Sequence, residues 1–292
     1  MEIFQPKSKS KEDFYNIEKY KKQTSWLDDE CYENGLQTLL NEFPDKDERE
    51  LLFELINKVV HQRISDRIQT ISTLVKKIED LKISPNNTLI IATAKKGESD
   101  GSQAWLYFFK FYLAQHNGWK ERQLKSTICS GVEHMKSDRR ITDVVIFDDF
   151  IGTGSTMINK VKEFVQNLKK EGIKIPKIHI FSLAGMSFGV DKVQSKIKIN
   201  VECPVLIKKG ITEQLTCQVQ INKQKSLMRS MEKKLEKKYN HKPFTGKYSL
   251  GYEGSEALFQ VQFSNCANNV FPIFWMKPKG NQRFRNTLFH RL

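Results

Sequence analysis

Apolar residues recur at helical spacing through the first third of the chain. Leu36, Leu39, Leu40 and Phe43 form one stripe, and Leu51, Leu52, Leu55, Ile56 and Val59 form a second after the interruption at Pro44 and Asp45. A third runs through Ile68, Ile71, Leu74, Val75 and Ile78. Spacings of three and four residues place such positions on one face of an α-helix, so residues 26–83 are expected to form a helical module. The stretch before it, residues 1–25, is rich in Lys, Glu, Ser and Tyr and has little periodicity; it reads as a basic arm, mobile or docking late.

At Ser84-Pro85-Asn86-Asn87 turn residues cluster and the pattern changes. Thr88 to Thr93 is a continuous, mostly apolar run of strand length, followed by a polar loop from Ala94 to Ser102 and an aromatic helix through Trp105, Leu106, Phe109 and Leu113. A second unit repeats the arrangement. Its strand, Asp143 to Phe147, leads into Asp148 to Thr156 and then a helix with Met157, Val161, Phe164, Val165 and Leu168 on one face. A third strand, Lys177 to Leu183, follows Pro176. Alternating strands and helices predict an α/β fold, a mainly parallel sheet with flanking helices over residues 84–210, with ligands at the carboxyl ends of the strands. Toward the end, strands are expected at Val201 to Ile207, Leu215 to Ile221 and Ala257 to Phe263. The extension 211–292 also carries a helix with Leu227, Met231 and Leu235 beneath Lys225, Arg229, Lys233, Lys234, Lys237 and Lys238. That basic face is either solvated or a phosphate-contacting surface.

Composition narrows the class without choosing a function. The 292 residues are 39% hydrophobic, enough for one substantial core and a smaller appendage. A formal charge of +14 favours nucleic acid, anionic nucleotides or acidic partners. No apolar run approaches the roughly 20 residues that cross a bilayer and the start lacks a signal-peptide core, so a soluble cytoplasmic protein with no membrane partner is expected. Cys31, Cys129, Cys203, Cys217 and Cys266 are scattered without metal-ligand spacing and read as structural. Of the histidines, His134 is singled out only by its nearness to the second strand, and a surface position is the simpler reading.

The chemistry concentrates in one loop. An apolar strand delivers Asp148 and Asp149, and Gly152-Thr153-Gly154-Ser155-Thr156 then opens a helix. Free N–H groups and the positive end of the helix dipole suit a phosphate monoester. The glycines permit close backbone approach, and the three hydroxyls add donors. The carboxylates would repel that phosphate and must serve another part of the ligand; a sugar diol supplies hydroxyl donors to them, and a divalent cation can bridge the same hydroxyls to a pyrophosphate. Met157 stands where a dinucleotide fingerprint needs its third glycine, and no lysine ends the loop as a Walker A sequence requires.

Val144 to Thr156 resembles the phosphoribosyl-pyrophosphate loop of type I phosphoribosyltransferases. The resemblance implies that Asp148 and Asp149 hold the ribose hydroxyls, that Gly152, Thr153, Gly154, Ser155 and Thr156 cradle the 5-phosphate, and that Mg2+ is the cofactor, with no residue assigned to it directly. It also points to the loop after the earlier strand as the pyrophosphate site, with Lys95, Lys96 and Gly97 suited to it, and to Arg139 and Arg140 as a further source of positive charge. No familiar base-recognition segment is present. The helical module with Phe43-Pro44-Asp45 and the end, Asn268 to Trp275 with Leu288 to Arg291, look like phosphoribosyltransferase-like proteins of bacterial conflict systems, some of them retron-associated. That implies a toxic effector of an antiphage system, with a reverse transcriptase and RNA/DNA as partners and homo-oligomerisation left open. A module that binds a nucleotide without turning it over, as a structural subunit of a ribonucleoprotein, is the alternative. The acceptor and the direction of reaction are not legible.

Overall fold

The computed structural model describes residues 11–95, 97, 100–239, 247–278 and 285–292, with the side chains of residues 11–16 excluded. Two compact units divide the chain: residues 1–61 with 209–292, and residues 62–208.

In the first unit, α1 (Lys11–Gln23), α2 (Glu30–Glu42) and α3 (Lys46–Asn57) are followed by the short β1 (Val60–Gln62). The helical part of the expected arm is a correction: Ile17 and Tyr20 of α1 are buried, a spacing of three that the surrounding Lys and Glu obscured. Residues 1–10 lie outside the described residues. The other helices bury the stripes read from the sequence, Leu36, Leu39 and Leu40 on α2 and Leu51, Leu52, Leu55 and Ile56 on α3.

The second unit begins with α4 (Ile64–Asp80), so this helix belongs with the sheet and not with the helical segments before it. There follow β2 (Thr88–Ala92), α5 (Gly101–Leu113), β3 (Leu124–Lys125), α6 (Ile128–Ser137), β4 (Asp143–Ile151), α7 (Ser155–Lys170), β5 (Lys177–Met186), α8 (Ser187–Ile197), β6 (Val201–Glu202) and β7 (Val205–Ile207). Every pairing is parallel, in the order β3-β2-β4-β5, with β6 and β7 both on the outer edge of β5. The expected single strand Val201–Ile207 is interrupted at Cys203-Pro204, where proline has no N–H to give the ladder. Alternation along the strands sends Leu89, Ile91, Val144, Ile146 and Ile180 to a core with α6, α7 and α8. On the opposite face the Phe147 ring meets Phe109 of α5 edge-on at 4.8 Å, and α4 packs on α5. Helices thus cover both faces of a parallel sheet.

The chain returns to the first unit through α9 (Gln218–Lys238), β8 (Phe259–Val261) and α10 (Pro272–Trp275); β8 pairs with β1. The strand expected at Leu215–Ile221 is not there. Its alternation is that of a helix start: Ile221 is buried with Met228, Met231 and Leu235 on one stripe of α9, while Val219 points outward, 76% exposed. The basic face of α9 is also less free than its composition implies, because Lys225 pairs with buried Glu256, Lys234 with Asp45 and Glu48, and Lys238 with Glu42. No helix among the described residues is long and apolar enough to cross a membrane.

Glu232, on the inner side of α9, gives this unit a pH dependence. It is 2% exposed, accepting hydrogen bonds from Ser249 Oγ at 2.7 Å and Leu250 N–H at 2.8 Å. Burial raises its carboxyl from 4.5 to about 7, against these two bonds. The folded protein therefore holds a proton that the unfolded chain has released, so stability is full below about pH 4.5 and falls as pH rises to 7, by up to about 3 kcal/mol. Urea titrations at pH 5 and pH 8 should show that loss in the wild type, and a smaller one in Glu232→Gln.

Candidate functional site

The site lies where the sheet reverses its winding. β2 and β4 are neighbours, yet the chain leaves β2 for α5 on one face and β4 for α7 on the other, the switch point at whose carboxyl ends parallel sheets take their ligands. Asp148 and Asp149 stand at this end of β4. Thr93, just beyond β2, donates its N–H to the Phe147 carbonyl at 3.0 Å and its hydroxyl to Asp148 Oδ1 at 2.8 Å. The same carboxylate oxygen accepts the Asp149 N–H at 3.1 Å. Asp148 is buried and Asp149 half-buried.

Asp100 completes an acidic cluster. It caps α5, its Oδ1 accepting the N–H and the hydroxyl of Ser102 at 2.8 and 2.5 Å. One oxygen from each of Asp100, Asp148 and Asp149 lies within 4.8 Å of the others. Burial first, then the charge of Asp149, raises the Asp148 carboxyl well above the ordinary range, with the Thr93 hydrogen bond opposing. Burial raises Asp149 too, against the pull of the Arg67 charge. Three hard oxygen donors that repel one another are a donor set that fits Mg2+, although Asp100 carried no assignment in the sequence beyond its place in the polar loop.

Arg67 was missed altogether. From α4, 1% exposed, it donates Nη2 to the Asp149 carbonyl at 2.6 Å and Nη1 to Gln62 Oε1 at 3.1 Å, with its guanidinium 5.5 Å from the centre of the Trp105 ring. Burial pulls its pKa down to about 10, against the charges of Asp149, Cys203 and Asp148. Its one sequence signal is phase: position 67 continues the stripe of Ile71, Leu74 and Ile78, where an arginine needs a partner inside.

The phosphate end of the loop is built as its residues suggest. Gly154 is the N-cap of α7 with φ +77°, a conformation costly for any residue with a Cβ. Thr153 is buried, Ser155 half-buried and Thr156 exposed. Thr153 Oγ1 donates to Ser155 Oγ at 3.3 Å, and Lys192 Nζ of α8 donates to the same oxygen at 3.1 Å.

The remaining expected residues separate. Lys95 is exposed and Gly97 has φ +82°, both in the loop after β2 and so at the carboxyl end of the sheet; Lys96 lies outside the described residues. Arg139 and Arg140 are a correction. They precede β4 at its amino end, and the rise from Asp143 to Asp148 alone is about 17 Å. Both are exposed, and Arg140 forks onto Asp138 at 2.9 and 2.8 Å. They are not brought to the acidic pair. His134, on α6, is only half-buried, its pKa lowered by burial and by Lys125, and takes no part in this cluster.

The PRTase-CE family profile matches residues 36–291. The chain belongs to the PRTase-CE family. A phosphoribosyltransferase-like protein is what the parallel sheet and the Asp148–Thr156 loop had indicated, and the PRTase-CE match extends over both compact units. No curated protein matches. Among solved structures, a hypothetical protein from Neisseria gonorrhoeae with bound ppGpp aligns with 50% of this chain and 84% of its own at 14% identity and a TM-score of 0.31, too distant a likeness to carry an argument.

Proposed function

We propose that this PRTase-CE protein binds phosphoribosyl pyrophosphate, or a nucleotide, with the ribose on Asp148 and Asp149 and the 5-phosphate at the start of α7. The observation that supports it best is the opposition of the two ends of one loop. Two adjacent carboxyl groups, Asp148 already accepting from the Thr93 hydroxyl and Asp149 half-buried, stand at the end of β4, and a glycine-started helix with three hydroxyls follows five residues later. A ligand with a diol at one end and a phosphate at the other matches both.

Asp100, Asp148 and Asp149 would hold Mg2+, which when bound supplies charge neutralisation between the sugar hydroxyls and a diphosphate. Asp148 and Asp149 orient the ribose through its hydroxyls. The α7 start fixes the 5-phosphate, and the loop of Lys95 and Gly97, at the same end of the sheet, receives the pyrophosphate. Catalysis on this arrangement is positioning and stabilisation of the anionic leaving group. An effector role in a bacterial antiphage system of retron type, with a reverse transcriptase and its RNA/DNA product as partners, is proposed on the resemblance of the flanking segments.

Calorimetric titration of phosphoribosyl pyrophosphate with Mg2+ tests the binding. Saturable binding at one site per chain, weakened when Mg2+ is withheld, is the expected result; heats no larger than dilution for this ligand, ribose 5-phosphate and AMP alike would sink the reading.

A further inference from the structure

We propose that Lys192 is the cation of the 5-phosphate cradle, so that the site takes a phosphate monoester far better than the same sugar without its phosphate. This rests on the phosphoribosyl reading and adds to it a contact that the loop itself lacks. Residues 152–156 bring hydroxyls and backbone N–H groups but no basic side chain. The ammonium that the loop does not encode arrives from α8, with Lys192 Nζ donating to Ser155 Oγ at 3.1 Å. Thr153 Oγ1 donates to the same oxygen at 3.3 Å. With two donors on its oxygen, the Ser155 hydroxyl has its own proton left to offer an acceptor outside.

The approach of Lys192 is fixed by backbone packing and does not depend on the reach of a long side chain alone. Gly189 lies three residues earlier on the same helix, and a Cβ there would run into the Gly152 carbonyl; a Cβ on Gly154 would run into the Gly189 carbonyl. Two facing glycines thus press the first turn of α8 onto the phosphate loop, and Lys192, one turn on, is on the side that meets it. Among the described residues no carboxylate pairs with Lys192, which is exposed. An ammonium held against a serine at a helix N-terminus, with no counter-ion of its own, is a receptor for a phosphate dianion.

The test compares ribose 5-phosphate and D-ribose by calorimetry on the full chain, in wild type, Lys192→Gln and Lys192→Arg. The expected result is a loss of about ten-fold or more for ribose 5-phosphate in Lys192→Gln, partial recovery in Lys192→Arg, and no change for D-ribose. Wild-type salt dependence should be steeper than that of Lys192→Gln, a difference that loss of packing would not produce. Lys192→Gln binding ribose 5-phosphate as tightly as wild type would overturn the proposal while leaving the phosphoribosyl site standing. If wild type binds phosphoribosyl pyrophosphate through Asp148 and Asp149 but ribose 5-phosphate no better than D-ribose, the proposal also fails. If it binds none of these, the phosphoribosyl reading falls and this inference with it.

Discussion

Asp148→Asn/Asp149→Asn will lose affinity for phosphoribosyl pyrophosphate by a factor of about 100 to 10,000, and in the absence of ligand it will be more stable than wild type. The first effect follows from the bonds removed: a carboxylate accepting a sugar hydroxyl makes a charge-assisted hydrogen bond of about 1.5–3 kcal/mol, and two are weakened together. The second follows from what those carboxylates do in the free protein. Burial raises both, and Asp149 and Asp100 add repulsion at Asp148. A carboxyl whose folded pKa is raised contributes its full stability below its unfolded pKa, and that stability is lost as pH rises through the folded value. At pH 8 the pair therefore strains the fold, and asparagine, nearly the same in shape, relieves it. The Thr93 hydroxyl keeps an acceptor, because the amide oxygen introduced by Asp148→Asn can take the place of Oδ1. Urea midpoints at pH 8 with binding isotherms on the same samples check both halves. A variant that is both destabilised and unable to bind would point to damage, and one that is stabilised yet still binds would remove the acidic pair from the site.

How much of this was readable beforehand depends on the range of the interaction. The parallel sheet was legible because Thr88 to Ala92 and Val144 to Phe147 are continuous apolar runs, the mark of strands covered on both faces, and because Gly152 to Thr156 punctuates a strand-to-helix turn. Local ambiguity caused the error at Leu215–Ile221, where four apolar residues at alternate positions fit a strand and only the later Met228, Met231 and Leu235 show the helix. Arg139 and Arg140 misled for a different reason. Nearness to Asp148 in sequence is distance in a strand, since each residue adds about 3.3 Å. Lys192 and Arg67 come from helices well away from the loop in sequence, and only the fold brings them to it. Asp100 was legible only as part of the polar loop and not as a third carboxylate of the cluster, because that role exists only once β2 and β4 are neighbours.

Arg67→Met is expected to cost about 3–5 kcal/mol, from the loss of two hydrogen bonds given by a charged donor at about 1.5–3 kcal/mol each. Methionine fills much of the same buried volume against Trp105, so the loss is not chiefly one of packing. What goes is the 2.6 Å bond to the Asp149 carbonyl, the 3.1 Å bond to Gln62 Oε1, and the arginine charge that acts directly on Asp149. Lys in place of Arg keeps a charge but not the fork that reaches both acceptors, so Arg67→Lys should fall between. The decisive measurement is a double-mutant cycle with Asp149→Asn. If Arg67 acts on Asp149 through charge, Arg67→Met will be less costly in the Asn background, with a coupling of about 1–3 kcal/mol. Equal cost in both backgrounds would reduce Arg67 to a backbone staple that holds the end of β4 by its carbonyl. The cycle also bears on how this site came to need a residue outside its motif. Two adjacent carboxylates at the end of a buried strand repel each other, and the buried Arg67, held against Trp105 on the α4 side, offsets part of that repulsion.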